Sequence, residues 1–216
     1  MKFRAVIFDL DGTLLDTLDD LADSMNRVLE LNRLPQHPQG AYKYFVGDGI
    51  EMLVRRALPF QVASARELQR FVKEMKNEYA QRWLHRTRPY AGIPEMLAAF
   101  AAAGAAMAVL SNKPDEASQA IVKALLPDGA FQVVLGATPQ RPKKPNPAAA
   151  LEIAGRLGIP PAEFLFIGDT AIDMQTARAA GMFPVGVLWG FRPAEELIAA
   201  GAKLLAVDAY NLIPWV

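Results

Sequence analysis

The chain contains no cysteine and only two histidines, His37 and His85, among its 216 residues. Disulfides, thiol nucleophiles and thiolate metal sites are thereby excluded, and a histidine-rich metal centre nearly so. An excess of either charge is missing too, since 23 Lys+Arg stand against 23 Asp+Glu for a formal net charge of +0. Binding to a nucleic-acid phosphate backbone therefore has no electrostatic footing. Long apolar runs are also lacking. The longest, residues 97–110, is Ala-rich, is interrupted by Gly104, and falls short of the roughly 18 residues a membrane-spanning helix needs. The apolar stretch behind Lys2 and Arg4 is broken by Asp9 and Asp11 before it could serve as a signal-peptide core. The expectation is a soluble, cytoplasmic protein with neither membrane nor nucleic acid as partner. Its 52% hydrophobic residues suffice for one good core and a smaller second one.

What is present is an alternation. Short apolar runs that read as buried strands occur at residues 3–8, 106–110, 133–135, 164–167 and 185–188. Helical patterns lie between them at 95–103, 116–126, 147–157 and 172–180, with Gly104, Gly158 and Gly181 where C-terminal caps belong. Strand and helix in turn predict a doubly wound α/β fold, a Rossmann-like parallel sheet with helices on both faces. Residues 16–88 break the pattern. Leu18, Leu21, Ala22, Met25 and Leu29 form one apolar stripe at helical spacing, and Leu68, Phe71, Val72, Met75, Tyr79 and Trp83 form another behind the capping box Ser64-x-x-Glu67. The organisation expected is a catalytic core from residues 1–15 and 89–216, with a helical insert at 16–88.

In open parallel sheets the ligand sits beyond the carboxyl ends of the strands, so the residues after each apolar run carry the chemistry. They are Asp9-Leu10-Asp11-Gly12-Thr13, then Ser111-Asn112-Lys113, then Lys144-Pro145, then Gly168-Asp169-Thr170 with Asp173 beyond. For a phosphate ester each type has a use. One carboxylate of the Asp9/Asp11 pair can attack phosphorus and divide one hard displacement into two through an acyl phosphate. The other can protonate the leaving oxygen and later deprotonate water. Crowded carboxylates call for a hard divalent cation, and an all-oxygen site suits Mg²⁺. Lys144 and the Ser111 hydroxyl would offset charge on the transferring group.

In these four motifs the sequence resembles the haloacid dehalogenase superfamily: Asp9-x-Asp11-x-Thr13, Ser111, Lys144 before Pro145, and Gly168-Asp169-x-x-x-Asp173. Singly each is weak, but four in order, each after a strand, are specific. The resemblance implies Asp9 as nucleophile and Asp11 as general acid/base. It implies Mg²⁺ held by Asp9, the Asp11 backbone carbonyl and Asp169, with Asp173 supporting that shell. Ser111 and the Asn112 amide would hold the phosphoryl group, and Lys144 would orient Asp9.

The insert is similar to the superfamily's inserted cap. Its segment 44–49, Tyr-Phe-Val-Gly-Asp-Gly, and residues 89–94, Pro-Tyr-Ala-Gly-Ile-Pro, resemble phosphoglycolate phosphatases. Gly47 and Gly49 flank Asp48 just before a helix, where backbone amides favour a small carboxylate. The expected function is therefore a Mg²⁺-dependent phosphatase of a small phosphorylated metabolite, 2-phosphoglycolate first among candidates. Rival expectations are a phosphomutase, a pyrophosphatase, a sugar or nucleotide phosphatase, and a non-catalytic phosphate-binding module, whose usual loss of Asp9 or Asp169 is not seen here. One departure from the family pattern falls at residues 138–141, where many relatives carry an acidic residue.

Overall fold

The computed structural model describes residues 3–59 and 64–216. In chain order the elements are β1 (Ala5–Phe8), β2 (Leu15–Asp16), α1 (Leu18–Leu31), α2 (Tyr42–Phe45), α3 (Ile50–Ala57), α4 (Ala65–Arg82), β3 (Arg88–Pro89), α5 (Ile93–Ala102), β4 (Ala106–Pro114) and α6 (Asp115–Leu125). They continue with β5 (Val133–Ala137), α7 (Ala148–Leu157), β6 (Phe164–Gly168), α8 (Ala171–Ala179), β7 (Phe183–Val187), α9 (Ala194–Ala200) and β8 (Leu204–Ala206).

Six strands make one parallel sheet in the order β5-β4-β1-β6-β7-β8. Counted among themselves along the chain they run 3-2-1-4-5-6, the doubly wound order, so winding reverses between β1 and β6. A parallel strand covered on both faces needs apolar side chains in both directions, which is why these runs are continuous rather than alternating. On one face Ile7, Ala108 and Phe166 pack with Ala150, Ile153 and Ala154 of α7 and Ala177 of α8. On the other, Phe8 stacks on Phe100 of α5 with ring centroids 6.1 Å apart, and Phe131 meets Phe8 edge-on. Burial of each large side chain among them, Ile7, Phe8, Phe100, Ile153 and Phe166, is worth about 1.5–3 kcal/mol.

Two differences from the sequence reading have physical causes. The strand expected to stop at residue 110 continues to Pro114. Leu110 pairs with Leu135 and Pro114 with Ala137, so β4 uses four steps where β5 uses two. That irregular stretch holds Ser111, Asn112 and Lys113, all buried although polar. The short edge strand β8 has no signature in the sequence, because three residues carry no period.

The chain divides into two compact units, one running through Leu15 and resuming at Pro89, the other Asp16–Arg88. Within the second, α1 and α4 pack along their apolar stripes, with Met25, Leu29 and Met75 fully buried. The Ser64 hydroxyl accepts from the Glu67 amide at 3.2 Å and starts α4. Buried Asp20 ties α1 to the end of the unit. Its carboxylate accepts from the amides of Arg86 (3.0 Å) and Thr87 (2.9 Å) and from the Thr87 hydroxyl (2.7 Å). No helix among the described residues is long and apolar enough to cross a membrane.

Replacing Asp20 by Ala orphans these donors, and each buried unsatisfied group costs about 1–3 kcal/mol. Hydrogen exchange should therefore accelerate at least about tenfold in α1 and α4 of Asp20→Ala, while β1 and β6 keep their protection. Unchanged exchange in α1 and α4 would show that Asp20 does not hold the unit together.

Candidate active site

The reversal of winding leaves a crevice beyond the carboxyl ends of β1 and β6, and the first residues past those ends are Asp9 and Asp169. The Asp9 amide still donates to the Ile167 carbonyl at 2.9 Å, so the side chain leaves the sheet from a fixed backbone. The chain then turns at once, with the amides of Leu14 and Leu15 donating to the Leu10 carbonyl at 3.1 and 3.0 Å. Gly12 makes that turn at φ 87°, and a Cβ there would fall 2.3 Å from Asp169 Oδ2. Only glycine allows both the conformation and the approach. After β6, Gly168 abuts Asp173 and Thr170 caps α8, which brings Asp173 back toward the strand end.

Lys144 sits at the centre of this rim. Its ammonium is 2.7 Å from Asp9 Oδ1 and 2.7 Å from Asp173 Oδ1, and its side chain is only 2% exposed. Its backbone is gripped by Asn112, whose Oδ1 accepts from the Lys144 amide at 2.8 Å while Nδ2 donates to its carbonyl at 3.2 Å. The peptide bond from Lys144 to Pro145 is cis. The second oxygen of Asp173 accepts from the Thr170 amide (3.1 Å) and hydroxyl (2.7 Å). Asp169 Oδ1 accepts from the Thr13 hydroxyl at 3.2 Å, and Oδ2 from the Phe191 amide at 2.8 Å. Trp189 fixes the opposite wall through its indole N–H, 3.0 Å from the Thr13 carbonyl. Ser111 Oγ accepts from the Lys113 amide at 3.2 Å.

Oxygens of Asp9, Asp169 and Asp173 lie within 4.8 Å of one another, all buried. One ammonium faces three carboxylates there. Burial drives the Asp9 carboxyl up to about 7; Lys144 opposes that rise, and Asp173 and Asp11 add to it. Burial likewise raises Asp169 well above the ordinary carboxylate range, helped by Asp9 and Asp173 and opposed by the Phe191 N–H and Lys144. Burial alone would lower Lys144, but Asp173 and Asp9 outweigh it and the net shift is upward. This charge deficit, presented by hard oxygen donors, fits a divalent cation such as Mg²⁺. A Cβ at Gly190 would fall 2.3 Å from Asp169 Cβ, so the loop after β7 closes directly on that carboxylate.

Asp9, Lys144, Asp169 and Asp173 thus form one contiguous cluster, joined to Asn112 through the Lys144 backbone. Asp11 points elsewhere, its two oxygens 3.0 and 3.3 Å from the Lys113 ammonium. Gly47 and Gly49 lie in the other unit with φ of 124° and 88°, Gly49 preceding α3. Asp48 between them pairs with Arg56, which also donates to the Phe45 carbonyl at 3.1 Å. Lys143 is exposed and Lys144 buried, which separates the two neighbours. At 138–141 the chain carries a cation instead of an acid. Arg141 donates to the Gly136 carbonyl at 2.8 Å and pairs with Asp115 (3.2 Å) and Glu152 (3.3 Å), tying the loop before Lys144 to α6 and α7. The sequence alone assigns no role to Lys113, Thr13 or the Phe191 amide. Thr13 was visible inside its motif; a backbone amide has no sequence signal.

The sequence profile of the haloacid dehalogenase-like hydrolases matches residues 6–187. The phosphoglycolate phosphatase of Pseudomonas putida is 33% identical over 98% of this chain and 79% of its own length. That of Mannheimia succiniciproducens is 32% identical over 88% of each chain. The crystal structure of a predicted phosphoglycolate phosphatase from Haemophilus somnus 129pt superposes with a TM-score of 0.92 at 29% identity, covering 99% of this chain and 98% of that one.

Carboxyls raised in the folded state bind more protons than in the unfolded chain, so metal-free stability is full below their ordinary range near 3.8 and falls as pH rises through about 7. The metal-free melting temperature should drop by several degrees between about pH 5 and pH 8, and Mg²⁺ should restore it more at the higher pH. Asp169→Asn should raise the metal-free melting temperature and abolish the Mg²⁺ response. Equal Mg²⁺ shifts in variant and wild type, read by calorimetry, would refute the assignment of Asp169 to the cation.

Proposed function

The chain belongs to the haloacid dehalogenase-like hydrolase family, and from that premise we propose a Mg²⁺-dependent phosphatase of small phosphorylated acids, with 2-phosphoglycolate the leading substrate. The observation that carries the chemistry is the Lys144 bridge between Asp9 and Asp173 beside Asp169. The substrate assignment is supported by relatives named as phosphoglycolate phosphatases at about one-third identity.

In this reading Asp9 is the nucleophile. Lys144 holds its Oδ1 and leaves Oδ2 to attack phosphorus; the bond from phosphorus to the ester oxygen breaks and an aspartyl phosphate forms. Asp11 delivers a proton to the departing oxygen. In the second half, Asp11 takes a proton from water as that water attacks the acyl phosphate, which returns inorganic phosphate and free Asp9. Ser111 holds a phosphoryl oxygen through its hydroxyl. The Asn112 side chain is occupied by the Lys144 backbone, so its share falls to the backbone amide. Bound by Asp9, the Asp11 carbonyl and Asp169, with Asp173 supporting them, Mg²⁺ would offset the charge that makes the carboxylates repel a phosphate. The inserted unit Asp16–Arg88 is assigned to specificity as the cap, with the Gly47–Gly49 turn as its candidate contribution. A cytoplasmic location accompanies the reading.

Steady-state hydrolysis of a panel of 2-phosphoglycolate, sugar phosphates, nucleotides and pyrophosphate tests the substrate. The highest kcat/KM should belong to 2-phosphoglycolate, and a sugar phosphate or nucleotide far ahead of it would overturn that choice. Asp9→Asn should lose essentially all turnover with the fold retained. In single-turnover phosphorylation, Asp11→Asn should slow an alkyl phosphate by about 10²- to 10⁴-fold and a nitrophenyl phosphate far less, since a nitrophenolate needs little protonation. Equal slowing of both esters would remove Asp11 as the acid.

A further inference from the structure

Arg141 precedes Lys144 by one short stretch of loop and takes no part in the steps above, yet its side chain is only 18% exposed. It meets acceptors on three elements: the Gly136 carbonyl in β5 at 2.8 Å, Asp115 at the start of α6 at 3.2 Å, and Glu152 on α7 at 3.3 Å. We infer that Arg141 is a positioning residue for Lys144. It sets the direction in which the loop presents that ammonium to Asp9, and so governs the attack on phosphorus rather than the departure of the ester oxygen. The inference rests on the phosphatase reading, with Asp9 as nucleophile.

The first support is register. Asn112 grips the Lys144 backbone, its Oδ1 accepting at 2.8 Å and its Nδ2 donating at 3.2 Å, while Asp115 accepts from the Arg141 guanidinium. Residue 144 is thus fastened to 112 and residue 141 to 115, so the stretch leading to Lys144 runs opposite to the stretch leading from Asn112 into α6. One clamp fixes a point; two fix a direction. Lys144 carries its ammonium on a long flexible stem, and its 2.7 Å contact with Asp9 Oδ1 depends on where that stem starts and how it is aimed. A misplacement of about 1 Å can cost about a hundredfold in rate.

The second is the rigidity of what Arg141 is tied to. Asp115 Oδ1 also accepts from the Gly136 amide at 2.8 Å, and a Cβ at Gly136 would fall 2.5 Å from Asp115 Cα and 2.7 Å from the Lys113 carbonyl oxygen. The end of β5 and the start of α6 are therefore locked together. On the loop side, the Arg141 amide donates to the Thr138 carbonyl (3.2 Å) and hydroxyl (3.1 Å), which closes the turn before Lys144. A planar guanidinium suits this task, because its rigid fork serves several acceptors at once. The third is where the acceptors sit. Exposed pairs such as Arg27–Glu30 and Arg156–Glu152 join residues of one helix and set no distance beyond it. Arg141 joins three separate elements, and none of its acceptors belongs to the carboxylate cluster. Its route to the chemistry runs through Lys144.

The test is rapid-quench phosphorylation of wild type, Arg141→Met, Arg141→Lys and Asp115→Asn by 2-phosphoglycolate and by p-nitrophenyl phosphate, with the rate constant at saturation read separately from the half-saturating concentration. Arg141→Met should lower the rate constant by the same factor for both esters, about ten- to a hundredfold, and leave half-saturation within about twofold. Arg141→Lys, which keeps the charge but not the fork, should recover part of the loss. Because the two residues form one clamp, Arg141→Met combined with Asp115→Asn should lose no more than the worse of the two single variants. Hydrogen exchange, which needs no turnover, should quicken at residues 138–146 of Arg141→Met while β1 and β6 keep their protection. A loss confined to the alkyl ester would assign Arg141 to Asp11, a loss in half-saturation alone would assign it to substrate binding, and an unchanged rate constant would leave it a merely structural residue. Each of these overturns the inference and leaves the phosphatase reading in place. A wild type that hydrolyses neither ester would remove both.

Discussion

A single buried ammonium organises the site. Lys144 lies 2.7 Å from a carboxylate at the end of β1 and 2.7 Å from another on α8, while Asn112 of β4 clamps its backbone. The end of β1, the last stretch of β4, helix α8 and the loop before α7 are thus joined through one residue. Removing that ammonium would leave two buried carboxylates without their cation, a defect of about 3–5 kcal/mol in comparable buried pairs. The same arithmetic explains why the rim is incomplete as a set of charges. One ammonium cannot balance Asp9, Asp169 and Asp173, and after burial, the main cause, the neighbouring Asp173 helps push the Asp9 carboxyl up to about 7.

The fold delivers these groups through sheet order rather than through any one motif. Because winding reverses between β1 and β6, their ends are adjacent without a helix crossing above them. Close approach then depends on absent side chains. Gly12 and Gly190 both border Asp169, and Gly168 borders Asp173, at distances no Cβ could occupy. The loop after β7 adds the Phe191 amide, so the carboxylate assigned to the cation is aimed by donors from two directions, Thr13 and Phe191.

Much of this was legible in the residues. Continuous apolar runs flanked by polar ends announced β1, β4, β5, β6 and β7, because parallel strands covered on both faces leave no room for alternation. The buried Lys144 beside exposed Lys143 follows from the register of Pro145. Other features leave no trace in a single sequence. The irregular extension of β4 through Ser111–Lys113 contains only polar residues, and its strand character comes from pairing with β5. The sequence places Lys113 just past an apolar run without showing what it meets, and its burial against Asp11 is a tertiary fact. The same holds for Arg141, whose acidic partners come from α6 and α7.

The central claim is that Asp9, held by Lys144, becomes covalently phosphorylated during turnover. Acid quenching of the enzyme within the first turnover on 2-phosphoglycolate, followed by peptide mapping by mass spectrometry, tests it directly. The account predicts a phosphoryl adduct on the peptide containing Asp9, labile to hydroxylamine and absent when the substrate is omitted. Phosphate release during that first turnover with no adduct at any quench time would mean that water attacks the substrate directly, and would contradict the account.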